Sequence, residues 1–322
     1  MKILTPFLCV FLAACGPSDK SFVSIGTGSQ TGVYYPAGNN IKKIVEAVPG
    51  NTLNISVAAS GGSVENINNV LQKSVTFGIA QADRQFQAFK GLANWENDPK
   101  QDLRFVFSLH PEVVTLVAAA DSGIETVADL AGKRVNLGSP GSGHRGNAEA
   151  ILKTAGISLD DLKAESMNVS ECAQKLQDGL IDAYFYTVGH PAGSITEATT
   201  GRRNVRFVPI ANMGDLIASA PYYTETQVPV ERYEQALQEG EVPSIGMLTT
   251  VVTHADTPED IVYTLVKALF ENLDSLRQQH PALQGLTATG MLRGGQAPLH
   301  PGALKYYLEA GLIEKPPPSP SP

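Results

Sequence analysis

Leu53-Asn54-Ile55-Ser56-Val57 alternates apolar and polar residues, and Ser60-Gly61-Gly62-Ser63 follows it directly. The alternation reads as a β-strand, and the glycine–serine run as a turn into a helix. The same order recurs twice. Gly26-Thr27-Gly28-Ser29-Gln30-Thr31-Gly32 leads into Val33-Tyr34-Tyr35-Pro36 and a helical pattern at Ile41, Ile44, Val45 and Val48. Gly138-Ser139-Pro140-Gly141-Ser142-Gly143 precedes a helix expected to begin near Asn147. Each segment alone suits an ordinary turn or cap. Together they suggest a cradle, because glycine admits close backbone approach and a following helix offers free N–H groups to an anion.

Working outward, strand-like runs recur at Phe105 to Ser108, Val113 to Ala118, Arg134 to Leu137, Ala183 to Tyr186 and Val205 to Pro209. Thr257-Pro258-Glu259-Asp260 reads as a helix start with Thr257 as the cap, ahead of Ile261, Leu265, Ala268 and Leu269. Strands alternating with helices predict an α/β protein with largely parallel sheets. Val113 to Ala120 and Met247 to Val252 are β-rich enough to pass between two lobes.

The chain has 322 residues, 43% of them hydrophobic, which suits two lobes. A net charge of -8 and 7% aromatics argue against nucleic acid as a partner. Met1 and Lys2, the apolar Ile3 to Leu12, and Leu12-Ala13-Ala14-Cys15 have the layout of a bacterial lipoprotein leader. Residues 1–14 are expected to be a signal peptide and Cys15 a lipidated N-terminus, with 15–21 as a tether and the membrane contacted through the lipid. Cys9 would leave with the leader, so Cys172 is the one remaining thiol and is expected to pack in a helix.

Catalytic and metal motifs are missing. Gly138 to Gly143 has phosphate-loop spacing, but His144-Arg145 stands where Lys-Ser/Thr is needed. No G-x-S-x-G or H-E-x-x-H occurs, and the six histidines are scattered. Asp160-Asp161 and Glu259-Asp260 read as helix-start acids. No catalytic residue, metal or cofactor is expected.

At these loops the chain resembles the TAXI class of solute-binding proteins, which serve tripartite ATP-independent periplasmic (TRAP) transporters. The resemblance is carried by Ile25-Gly26-Thr27-Gly28-Ser29, Tyr34-Tyr35-Pro36, Gly61-Gly62-Ser63-Val64-Glu65-Asn66 and Gln81-Ala82-Asp83. It continues through Ala120-Asp121-Ser122-Gly123-Ile124, Gly132-Lys133-Arg134-Val135, Ala268-Leu269-Phe270-Glu271-Asn272 and Leu299-His300-Pro301-Gly302-Ala303. The resemblance implies a type II periplasmic-binding-protein fold with a cleft between hinged lobes. Lobe I would comprise residues 22–117 and 250–312, lobe II residues 118–249, and residues 313–322 a disordered proline-rich tail.

It further implies a periplasmic lipoprotein that captures a small anionic organic solute and delivers it to TRAP membrane subunits. Glutamate, glutamine and 2-oxoglutarate are the class's typical cargo. The implied binding residues are Gly28, Ser29, Thr31 and Tyr34 in the first loop, Gly62 and Ser63 in the second, and Gln81. Ser139, Ser142 and Gly143 would follow in the other lobe. His144 and Arg145, and His190 further on, depart from the class's usual residues; Arg145 in the cleft would favour a more anionic ligand, and His190 would make affinity depend on pH. A lipid-anchored sensor with the same fold is the alternative, and a hydrolase lacks a nucleophile and base.

Overall fold

The computed structural model describes residues 20–233, 235–237 and 240–318. The leader and Cys15 lie outside these residues, as do 319–322 of the tail.

The chain opens as three strand–helix units: β1 (Ser21–Gly26) and α1 (Tyr34–Ala47), β2 (Leu53–Ala58) and α2 (Ser63–Leu71), then β3 (Phe77–Gln81) and α3 (Ala82–Lys90). The long β4 (Leu103–Ala119) follows, then β5 (Arg134–Asn136), α4 (Gly143–Thr154), β6 (Lys163–Glu165) and α5 (Val169–Gln177). Next come β7 (Ala183–Val188), α6 (Gly193–Thr199), β8 (Val205–Phe207), α7 (Gly214–Ser219) and β9 (Thr224–Val228). A second long strand, β10 (Val242–His254), leads to α8 (Glu259–Glu271), α9 (Leu273–Gln278) and α10 (Pro301–Glu309).

One ten-stranded sheet runs β2-β1-β3-β10-β4-β7-β5-β6, with β8 added to β4 and β9 to β10. Pairing is parallel at both ends, β1 with β2 and β3, and β5 with β6 and β7. The middle is antiparallel, since β10 opposes β3, β4 and β9, while β4 opposes β7 and β8. The expected largely parallel sheets are therefore one mixed sheet. Fully buried strands are apolar on both faces, so their direction leaves no mark in an alternation pattern.

β4 and β10 belong to both halves. The runs at Phe105 and Val113, read separately in the sequence, are a single strand that continues through Pro111. Its pairing with β10 shifts register between Leu248 and Thr250 and again between Val251 and Val252. Such irregularities bend a ladder locally. The hydrophobic core divides at the same place. Phe107, Leu109, Val251 and Val252 pack with residues from the first strands and the last helices, whereas Val113, Val114, Ile245 and Met247 pack with β5, β7 and their helices. This is the two-lobed type II architecture.

Local details also differ from expectation. The α4 helix begins at Gly143, four residues before Asn147. Pro258, not Thr257, is the N-cap of α8, and the Thr257 hydroxyl instead pairs with Thr253 at 2.8 Å. Asp161 caps a short turn by accepting from the Ser158 N–H at 2.8 Å. Cys172 is fully buried on α5, where Asn136 donates to its sulfur and burial pushes the thiol up to about 12.

Candidate functional site

The three glycine–serine loops meet over the crossing strands and enclose one cavity. Residues at the starts of five helices line it: Val33 and Tyr34 of α1, Gly62 and Ser63 of α2, Gln81 before α3, Gly143 and His144 of α4, and Asn168 and Val169 of α5. Each helix start leaves backbone N–H groups without an intrahelical partner and carries the positive end of the dipole. No side chain caps α1, α2, α3 or α4. Only α5 is capped, by Asn168 accepting from Ser170 N–H at 3.1 Å. Donors from both lobes therefore converge on one space, an arrangement suited to an anion.

The space open to the centre of a water-sized sphere is about 40 Å³. At about 10–15 Å³ per water, that is room for about three waters, which points to a small ligand.

Nine of the residues singled out in the sequence line the cavity: Gly28, Ser29, Tyr34, Gly62, Ser63, Gln81, Ser139, Gly143 and His144. Tyr34 donates its hydroxyl to Glu112 Oε2 at 2.8 Å. Gln81 donates its backbone N–H to Ser63 Oγ at 3.1 Å, and its side-chain Oε1 is buried without a hydrogen-bond partner. His144 stacks edge-on to Tyr186 at 5.4 Å between ring centroids, with Nε2 buried and unpartnered. Burial, followed by the Arg145 charge, lowers its pKa to about 4, so it meets the cavity as a neutral ring.

Four expected residues lie elsewhere. Thr31 turns its hydroxyl to Ser29 at 2.9 Å, and its carbonyl accepts from Ser194 N–H at 3.2 Å. Ser142 bonds back to the Ser139 carbonyl at 2.6 Å. Arg145 points away along α4, pairing with Glu149 at 2.9 Å and donating to Gly138 O and Ser166. One helical turn of four residues puts Arg145 and Glu149 on a common outer face. His190 is packed beneath the crossing, bonded to Tyr233 at 2.6 Å and Thr115 at 3.1 Å. Burial, then the Arg232 charge, lowers it to about 3, so it is not a switch near neutral pH.

The cavity also contains residues the sequence reading omitted, chiefly Glu112, Tyr186, Thr187 and Asn168. Glu112 carried a signal, a lone acid between two apolar strand runs, since acids are almost never fully buried without a partner or a task. Tyr186 was read only as part of a strand. Its hydroxyl lies where a Gly32 Cβ would be, at 2.2 Å, which explains a glycine there.

The lobes are closed on each other. Gly141 O accepts from Glu65 N–H at 3.2 Å, and the Gly61–Gly62 backbone packs on Gly141 and Ser142. Behind the cavity, Asp83 is fully buried, paired with Arg84 at 2.8 Å. It also accepts from Asn147 Nδ2 at 2.5 Å and Tyr223 at 3.3 Å, while Thr187 donates to Asn147 Oδ1 at 2.8 Å. Asp83 and Arg84 come from the first lobe and the other three from the second, so this network latches the closed form.

Residues 25–311 match the NMT1-like family, and the chain belongs to it. Solved structures with a similar fold include MatC from Rhodopseudomonas palustris with bound malate, at 15% identity and a TM-score of 0.54, covering 81% of this chain and 88% of that one. An ancestral arginine-binding protein bound to arginine matches at 15% identity and 0.52, covering 83% and 100%. An ABC uptake transporter substrate binding protein from Streptococcus pneumoniae with bound histidine matches at 14% identity and 0.52, covering 80% and 89%. At these identities the likeness is one of fold.

Proposed function

We propose that this protein is an extracytoplasmic solute receptor that holds a small anionic organic solute between its lobes and performs no chemistry on it. The observation that carries the reading is the convergence of five helix N-termini from both lobes on one small cavity that, among the described residues, no Lys or Arg lines. An anion placed there bridges the lobes. It favours the closed state by the difference between its affinities for closed and open forms. The hinge falls where β4 and β10 cross, around residues 109–113 and 247–251. Gly28, Ser29, Tyr34, Gly62, Ser63, Gln81, Ser139, Gly143 and His144 would touch the ligand, mainly through backbone N–H groups and hydroxyls.

Carboxylates of amino-acid or dicarboxylate size are the ligands this reading favours, and to admit one the lobes must stand further apart than the room for about three waters allows. The malate, arginine and histidine of the structural neighbours are of that order. Lipid anchoring at Cys15 on the periplasmic face of a bacterial membrane, and delivery to TRAP membrane subunits, complete the proposal. They are supported by the leader and by the ordered motifs described above.

A thermal-shift panel tests the reading, with the protein refolded to remove carried-over ligand. A ligand binding only the folded state at a hundredfold excess over Kd adds about 2.7 kcal/mol. A shift with small organic anions and none with neutral sugars is expected. A folded sample that responds to no anion, or equally to neutral solutes, would sink it.

A further inference from the structure

Among the described residues, Glu112 is the one acidic side chain lining the cavity. It stands on β4 opposite Met247, at the crossing, and is 2% exposed. Tyr34 of α1 donates to its Oε2 at 2.8 Å. Every element packed around it presents a group that carries no positive charge or a like charge. Gln81, before α3, and Thr249, on β10, lie within hydrogen-bonding reach, and Asp83 on α3 adds like charge. Tyr186 on β7 is kept neutral by burial first and then by Glu112 itself. His144 on α4 is neutral for the reasons given above. His110, two residues back on the same strand, is lowered to about 3 by burial and then by His280 and His190. Arg84, next to Asp83 on α3, spends its charge on Asp83.

Burial pushes the Glu112 carboxyl up to about 8, against the lowering effect of the Tyr34 bond and with the Asp83 charge adding to the rise. An anion held on the helix starts would be a second negative charge in the same small space. Two like charges at such close quarters do not both stay ionised; the weaker acid takes up a proton.

We propose that Glu112 meets the bound anion as the neutral carboxylic acid and donates its proton to an acceptor on the ligand, so that capture at alkaline pH takes up one proton from solvent. This rests on the anion-receptor reading of the cavity. The balance is simple: ionised Glu112, one solvent proton and the free anion give the protonated side chain hydrogen-bonded to the bound anion. Glu112 thereby makes affinity depend on pH in a window that His190 does not control. An ionised Glu112 pairing with a ligand ammonium would give the opposite sign.

The test is isothermal titration of the full chain with succinate, malate, 2-oxoglutarate and ethanesulfonate, whose acid groups stay ionised from about pH 6 to about pH 10. Buffers with different heats of protonation count the protons exchanged. Affinity for the probe that binds is expected to be level up to about pH 8 and to fall up to about tenfold per pH unit above it, with uptake approaching one proton. Glu112→Gln, which keeps an N–H donor but cannot ionise, is expected to lose both the alkaline fall in affinity and the proton uptake. Affinity that is constant or rising above pH 8, or net proton release, overturns the inference while leaving the receptor reading intact. So does a folded Glu112→Gln whose affinity still falls above pH 8. Should that variant fail to fold or to bind, the wild-type profile and proton count decide alone. Absence of binding by every probe at every pH removes the anion-receptor reading itself.

Discussion

Gly143→Ala isolates lobe closure from lobe folding. Gly143 is the first residue of α4, and its φ lies outside the left-handed range, so the helix accepts alanine and gains slightly in propensity. Across the cavity, however, a Cβ at this position would stand 2.0 Å from Gln81 Oε1, 2.6 Å from Gln81 Cδ and 2.8 Å from Ser63 Oγ. All three lie inside the 3.0 Å that real Cβ contacts respect. Either the lobes stand apart, or Gln81 swings into the ligand's space; both weaken the closed complex. Overpacking of this kind costs about 1–3 kcal/mol, which raises Kd by about fivefold to about 150-fold. Titration with the best anion from the panel reads that change, and a thermal melt of the ligand-free variant should stay near wild type. Unchanged affinity in a well-folded Gly143→Ala would refute the claim that these loops close on the ligand.

Asp83→Asn leaves the buried Arg84 guanidinium without its counter-charge and should lower stability by about 3–5 kcal/mol in urea titrations. Arg145→Ala should change anion affinity less than about twofold by calorimetry, because the side chain is bonded along the outside of α4. Stability should also decline in acid. His110 and His190 are held near 3 and His144 near 4 in the folded chain, against an ordinary 6.5, mainly by burial. Unfolded histidines then bind protons first, so stability is full above about pH 6.5 and falls toward pH 4, by up to about 1.4 kcal/mol per unit for each group. Urea midpoints at pH 7 and pH 5 check the sign; equal midpoints would count against it.

The loops were legible because their chemistry is local. Gly61-Gly62-Ser63 and Gly138 to Gly143 announce turns into helices by composition alone, and the helix starts follow from those turns. What composition does not carry is which way a side chain leaves its helix. His144 and Arg145 are neighbours in sequence, yet the 100° step between them sends one ring into the cavity and the guanidinium to the outer face. Glu112 was passed over because Pro111 breaks the apolar run at that point, and proline inside a strand reads as an interruption. In the structure that interruption is the crossing itself, where the pairing between β4 and β10 shifts register. His190 illustrates the converse. A histidine after Gly189 looks available, but Tyr233, distant in sequence, covers it.

The central claim is that an anion sits between the lobes on the helix starts. A crystal structure of the protein with the strongest binder from the panel tests it most directly. The account predicts the anionic group of the ligand within hydrogen-bonding distance of N–H groups at the starts of α2 and α4, one from each lobe, with Glu112 against its other end. Ligand found on one lobe only, or outside the cavity that Glu112 and Tyr34 border, would contradict it.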